Sequence, residues 1–268
     1  MQEIVIHNWD ELQKAVFADV WDEKVMRYRN NCVFRGAADV KWDLVPSLNR
    51  VCAHDLSLES HVFRQFRKYG YAELADYSGF WSLLPVAQHH GLPTRLLDWT
   101  YSPMVAAHFA TEDTEYYDRD GVIWQLDLKQ FKAQLPELLQ MKLRESDSNI
   151  FTIGMLEKLI PDFDWMKTLS DEPYAVFFEP SSMIDRIVNQ YALFSVVSDP
   201  AVSLLDLPES EQFTRLIIKK EAKLEIRDKL DYINISERMI YPGLDGICKW
   251  IARRYAPLGP IYNAPKED

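Results

Sequence analysis

The stretch HNWDELQKAVFADVW sets apolar Leu12, Val16 and Phe17 at helical spacing behind Asn8, a residue suited to cap a helix N-terminus, with acids in the first turn. It predicts an N-terminal helix over about 8–22. NCVFRGA is short, apolar and β-branched until it stops at Gly36, which predicts a buried strand ending in a tight turn with Arg35 at its end. WDLVPSLNR, broken by Pro46, predicts an irregular loop pinned by Trp42. LSLESHVFRQFRKYGYAEL and FWSLLPVAQHHG carry the apolar period of helices, and TRLLDWT predicts a short strand. SPMVAAHFA opens on the Ser-Pro pair favoured at a helix start, and its alanines 106, 107 and 110 thin one side for close packing on a sheet.

Further strands are predicted at GVIWQLDL, YAVFFEP, YALFSVV and RLIIKKE, and further helices at KQFKAQLPELLQ, EAKLEIRDKL and GLDGICKWIARRY. RESDSN and SDPAVSLLDLPESEQ read as exposed loops. Strands and helices mix without regular alternation, so the pattern favours an α+β fold over a doubly wound sheet. No repeat, low-complexity tract or linker divides the chain. The expectation is a single domain over 1–268, with a core over about 30–256 and a short C-terminal tail.

Composition narrows the function classes. The 268 residues are 47% hydrophobic, as a globular protein requires, and a net charge of −11 with an acidic balance of 41 to 30 argues against a broad surface for nucleic acid or anionic membrane. A local basic groove stays compatible with that sum. Cys32, Cys52 and Cys248 are widely separated, form no CxxC pair and cannot all pair within one chain, which fits a reducing cytosol. The N-terminus lacks the basic and apolar run of a signal peptide, so a soluble cytoplasmic protein with no membrane partner is expected.

The chemistry concentrates in PVAQHHGLPTRLLDWTYSPMVAAHFA, residues 85–110. There is no P-loop, no GxGxxG, no HExxH and no GxSxG elbow. His89 and His90 point apart on any regular element and lack a third ligand at a suggestive distance, so no metal is expected. Polar groups embedded among apolar ones are the unusual feature. Arg35 sits inside VFRG, Arg95 and Asp98 flank two leucines, and Arg186 and Gln190 repeat the pattern in RIVNQYALFSV. Burying an isolated charge is costly, so these groups either close the core as ion pairs, Arg95 with Asp98 for instance, or line a cleft. In the second case an arginine fork beside Gly36 suits an anion. Trp42 and Trp99 then act as buried anchors around the cleft.

FRGAADVKWDLVPSLNR, QHHGLPTRLLDWTYSPMVAAHFA, RIVNQYALFSV and YPGLDGICKWI together resemble the FRG-domain family, four separated motifs in order along the chain. A remoter resemblance is to ADP-ribosyltransferases of the arginine–serine–glutamate type. VFRG resembles their first core strand, LDWTYSPMVAAHFA their strand-to-helix element, and NQYALF stands where their glutamate-bearing strand is expected. That resemblance implies an ADP-ribosyltransferase-like split mixed β-sheet with surrounding helices, and NAD as the substrate.

Carried over residue by residue, it implies that Arg35 and Gly36, with Arg95, hold the NAD diphosphate or ribose, and that Thr100 supports the nicotinamide ribose. Gln190 falls at the place of the catalytic glutamate. Neutral glutamine can hydrogen-bond a ribose hydroxyl but cannot stabilise positive charge, so Asp98, or Glu179 in FFEP, is the candidate carboxylate, with His89 or His90 moving a proton. On this reading Gln190→Glu preserves or raises NAD cleavage. The implied function is an NAD-dependent ADP-ribosyltransferase, a bacterial toxin or phage-defence effector acting on a nucleic acid or protein acceptor and held by an antitoxin or regulatory partner. Two alternatives come from other classes: a non-catalytic nucleotide-sensing or protein-interaction domain, and a metal-dependent hydrolase built on Asp98 and the histidines.

Overall fold

One mixed sheet, apolar on both faces, organises the chain. The computed structural model describes residues 1–18, 20–23, 26–29, 31–77, 79–180 and 185–256. In chain order its first half contains β1 (Gln2–Ile6), α1 (Trp9–Val16), β2 (Trp21–Asp22), β3 (Arg27–Tyr28), β4 (Cys32–Ala37), α2 (Ser47–Val51), α3 (Leu58–Tyr69), α4 (Phe80–His89), β5 (Leu97–Thr100), α5 (Pro103–Thr111) and β6 (Gly121–Asp127). There follow α6 (Leu128–Phe131), α7 (Glu137–Glu145), β7 (Phe151–Thr152), α8 (Ile153–Leu159), α9 (Phe163–Thr168), β8 (Ala175–Glu179), α10 (Asp185–Asn189), β9 (Ala192–Val197), β10 (Thr214–Ile218), α11 (Lys223–Tyr232), α12 (Glu237–Ile240) and α13 (Leu244–Tyr255). The C-terminal tail expected after residue 256 lies outside the described residues.

The sheet has eight strands in the order β1-β10-β6-β4-β5-β9-β8-β7, with β2 and β3 a separate ribbon. Its outermost pairs are parallel and the pairs between them antiparallel. The fold is therefore α+β, a large mixed sheet surrounded by helices.

Alternation along the strands decides what each face carries. Val33, Val122, Trp124, Leu97, Trp99 and Phe177 share a face covered by Phe131, Leu204, Leu207 and Phe213. The opposite face is divided. Phe34, Ile123 and Leu216 pack under α1, α5 and α11, whereas Val176, Phe178 and Phe194 pack under α4, α7, α8 and α9. The two helical layers flank β5, whose Asp98 on that face stays exposed.

Several local expectations change on folding. The first helix ends at Val16, and the expected continuation becomes β2. The strand bearing Arg35 runs through Gly36 to Ala37 without turning. The segment after Pro46 forms the short helix α2, and Trp42 is 43% exposed, edge-on to Tyr116, so it is no buried anchor. Trp99 is, at 2% exposure, with its indole N–H donated to Ser195 Oγ at 2.8 Å. The stretch 198–212 is not a plain exposed loop, because short helical turns carry Leu204 and Leu207 into the core.

Candidate functional site at the split between β4 and β5

The sheet is joined at its middle by a single residue pair, Phe34 with Thr100, while β4 and β6 match over six pairs and β5 and β9 over four. Beyond that pair the backbones of β4 and β5 part. Arg35, the next residue on β4, spans the gap. Its Nη1 donates to the Asp98 carbonyl at 2.7 Å and stands 3.7 Å from Asp98 Oδ2.

Register places Arg35 beside Trp124 on one face of the sheet, whereas Asp98 lies opposite Phe194 on the other. The guanidinium thus meets β5 through the opening. Burial pushes the Arg35 guanidinium below its ordinary pKa and Asp98 counters it; a guanidinium is basic enough to keep its charge at neutral pH.

Asp98 is the exposed end of a polar chain. Gln88 Nε2 donates to its Oδ1 at 2.7 Å, the Thr94 hydroxyl donates to Gln88 Oε1, and Thr94 exchanges hydrogen bonds with Ser47 through its N–H and carbonyl. In the QHH triplet it is therefore the glutamine that holds the aspartate. His89, the last residue of α4, is half-buried. Partial burial, with Arg186 and then His90 adding to it, holds its imidazole below the usual 6.5, which leaves it a neutral base near pH 7.

Thr100 shares the Asp98 face of β5 but serves the backbone. Its hydroxyl donates to the Gln190 carbonyl at 2.7 Å and accepts from Ser102 N–H at 3.0 Å. Ser102 in turn caps α5 through Val105 N–H. The Gln190 amide Nε2 donates to the Ile240 carbonyl at 3.2 Å, and neighbouring Asn189 donates to Met239. These bonds tie the entry to β9 onto α12. At the same sheet end, the Tyr101 hydroxyl donates to Glu179 Oε1 at 2.7 Å; burial and that carboxylate raise its phenol pKa.

A second chain stands behind Arg186. Its guanidinium lies 4.9 Å from the Tyr241 ring centre, the Tyr241 hydroxyl donates to Glu112 Oε2 at 2.8 Å, and Glu112 also meets His108 Nε2 at 3.1 Å. Arg227 Nη1 reaches His108 Nδ1 at 2.5 Å. Nothing in the sequence joins these distant residues into a network, although Tyr241 opens YPGLDGICKWI.

Two residues assigned to ligand by resemblance have other employment. Arg95 is 6% exposed and clamps Glu59, with Nε 2.8 Å from each carboxylate oxygen and Nη1 donating to the carbonyls of Val197 and Ser198. It pairs with Glu59 of α3 and not with Asp98, because Asp98 and Arg95 lie at opposite ends of an odd step along an extended segment. Gly36 is required by α5: a Cβ there would sit 1.8 Å from the Ala106 carbonyl oxygen. The glycine lets helix and strand touch. Of the six polar residues expected around one concavity, Arg35 and Asp98 are in contact, and Asp98 and Thr100 share a face. His89 adjoins them through Gln88, Gln190 meets Thr100 by its carbonyl, and Arg95 is turned into the core.

Among the described residues no group of three or more His, Cys, Asp or Glu could hold a metal ion, and no helix is long and apolar enough to cross a membrane. Residues 30–119, about a third of the chain, match the FRG domain, and that stretch is similar to the FRG-domain family. The matched stretch contains Arg35, Gly36, His89, Arg95, Asp98 and Thr100; Gln190 lies beyond it. No curated protein and no solved structure matches the chain.

Proposed function

We propose that the split in the sheet is the nucleotide site of an NAD-dependent ADP-ribosyltransferase acting in the cytoplasm. The observation that carries the reading is Arg35, a mostly buried guanidinium reaching through the gap to an exposed Asp98. A fork of donors fixed at a strand opening suits a diphosphate, and the adjacent carboxylate suits a sugar hydroxyl or developing positive charge. Arg186, beside His89, offers a second cation. In the proposed reaction the bond between ribose C1′ and the nicotinamide nitrogen breaks, and nicotinamide leaves with the electron pair. An acceptor nucleophile bonds to C1′ and gives up its proton, which neutral His89 accepts. The acceptor is a nucleic acid or protein that enters the cleft locally, given the acidic balance of the chain.

The role that resemblance gives Gln190 passes to Asp98, since the Gln190 amide already donates to Ile240. Glu179 is the second carboxylate, held by Tyr101. Three free cysteines support a reducing compartment. Release of nicotinamide from NAD by the purified chain, lost in Asp98→Asn, is the expected result. One observation favours a second reading, a non-catalytic nucleotide-sensing domain. Both side chains aligned with the transferase hydroxyl and glutamate, Thr100 and Gln190, are spent on backbone carbonyls. Saturable NAD binding with no nicotinamide release identifies that case, and the absence of both ends the nucleotide reading.

A further inference from the structure

A cavity of about 470 Å³ opens between α3, α4, the 92–94 turn and the start of α9. Interior voids that exist through imperfect packing are few and close to the size of a water molecule, whereas small-molecule sites run from roughly 300 to 1,000 Å³. Its volume puts it with the second group.

The walls are aromatic and held in place. Phe80 packs edge-on to both Phe163, at 4.7 Å between ring centres, and Phe63, at 5.3 Å. The Arg95 guanidinium lies 3.8 Å from the Phe163 ring centre. Because Arg95 is locked to buried Glu59, which also lines the cavity, that ring is fixed before any ligand arrives, and the ion pair adds no net charge.

Charge is unevenly placed around this apolar interior. Arg64, Arg67 and Lys68 stand together on α3, spaced three and four residues apart on one helical face, in a chain whose net charge is −11. Arg64 meets the His61 ring at 3.1 Å, Lys68 lies over Tyr69, and Arg67 has no hydrogen-bond or ion-pair partner among the described residues. The acids on the opposite wall belong to α9. Asp162 is occupied in capping that helix through Trp165 N–H, and Asp164 lies in its first turn, where the helix dipole favours a negative charge.

We propose that this cavity binds an aromatic ring bearing an anionic group, with the ring against Phe63, Phe80 and Phe163 and the anion at the arginines of α3. The site is separate from the split between β4 and β5 and does not depend on the function assigned there.

The test is calorimetric titration of the intact chain with naphthoate and naphthyl phosphate, using neutral naphthamide as control. Saturable binding of at least one anion with Kd below about 1 mM, and at least about tenfold tighter than the amide, is the expected result. The double substitution Arg64→Ala, Arg67→Ala should bring the anion down to the level of the amide. Both residues are exposed, so the fold tolerates the change. Ser60→Trp, exposed at the mouth of the cavity, should block all binding while the melting temperature holds. Equal affinity for anion and amide, no saturable binding of either anion, or unchanged binding in the charge or mouth variants overturns the proposal. If only one of the two anions binds, the result says which headgroup the arginines take.

Discussion

Arg35 and Asp98 come from opposite faces of one sheet and meet because β4 and β5 have separated: Nη1 of the arginine donates to the aspartate's main-chain carbonyl at 2.7 Å. The contact holds an arginine fork at a fixed point in an opening. It does not hold the core together, since Asp98 is exposed and water can replace the guanidinium.

Arg35→Ala is therefore expected to fold, with a stability loss of about 1 kcal/mol for the lost hydrogen bond. NAD affinity should fall at least about tenfold, because alanine gives the diphosphate no donor. Arg35→Lys keeps the charge without the fork and should lie between the two. Circular dichroism melting and calorimetric titration separate the effects. A folded Arg35→Ala that binds NAD like the parent removes the arginine from the site.

Arg95 gives the opposite expectation. It and Glu59 are both nearly inaccessible, so removing one carboxylate leaves a buried guanidinium without its counter-ion. Glu59→Ala should cost about 3–5 kcal/mol by urea denaturation. Replacing both members with apolar residues of similar volume should recover much of that loss. If Glu59→Ala melts like the parent, Arg95 has found another acceptor and the clamp is dispensable.

Gly36→Ala tests whether the glycine serves the helix behind it. The added Cβ would be 1.8 Å from the Ala106 carbonyl oxygen and 2.9 Å from the Ala110 nitrogen, both backbone atoms of α5, so the whole helix must shift. A loss of about 3 kcal/mol or more is expected, read as a lowered melting temperature or failure to express in soluble form. A nearly unchanged melting temperature would show that α5 moves without cost.

What the sequence made legible follows from which signals are local. Asn8 and Ser102 cap their helices through their own side chains, and the short, nearly continuous apolar runs of β6, β8, β9 and β10 mark strands wherever these end up in the sheet. The polar motifs were visible for the same reason. Their partners were not. Arg95 reaches back 36 residues to Glu59 on a helix that read as merely amphipathic, and nothing within TRLLDW distinguishes that pairing from one with Asp98. Gly36 read as a turn because a glycine after an apolar run commonly is one. Only the approach of α5 shows that the strand continues and the missing Cβ is the point. Gln88 escaped notice beside two histidines whose chemistry is more versatile, although its amide makes the bond to Asp98.

Gln190→Glu is expected to disappoint the simple analogy with a catalytic glutamate. The amide donates to the Ile240 carbonyl, and a carboxylate in its place would direct negative charge at that oxygen. The variant should lose about 1–3 kcal/mol through the unsatisfied acceptor and show no more nicotinamide release than the parent. A gain in release with the melting temperature unchanged would mean the new carboxylate turns toward the split, and the catalytic role would return to position 190.

The buried His108 makes stability depend on pH in a defined direction. Arg227 has only donors, and one of them lies 2.5 Å from His108 Nδ1, so that nitrogen must be an unprotonated acceptor and the ring proton sits on Nε2, donated to Glu112. Burial lowers the imidazole pKa below its ordinary 6.5, with Glu112 partly offsetting the shift and the Arg227 charge adding to it. The unfolded chain then binds more protons than the native one between the lowered native value and 6.5. Stability consequently rises with pH through that window and is lost as pH falls below 6.5. His89, also lowered, acts in the same sense. Carboxylates with depressed pKa, such as Asp39 and Glu237, lose their contribution only as pH falls through their ordinary values of 3.8 and 4.5, which lie lower. The melting temperature should thus begin to decline between about pH 7 and about pH 5, before the carboxylates titrate. His108→Gln offers Arg227 an amide oxygen and Glu112 an amide N–H, and it should flatten that limb, while His89→Gln removes the contribution of His89. An acid limb identical in parent and His108→Gln would assign the decline to other groups and show that the Arg227 contact does not exclude the proton.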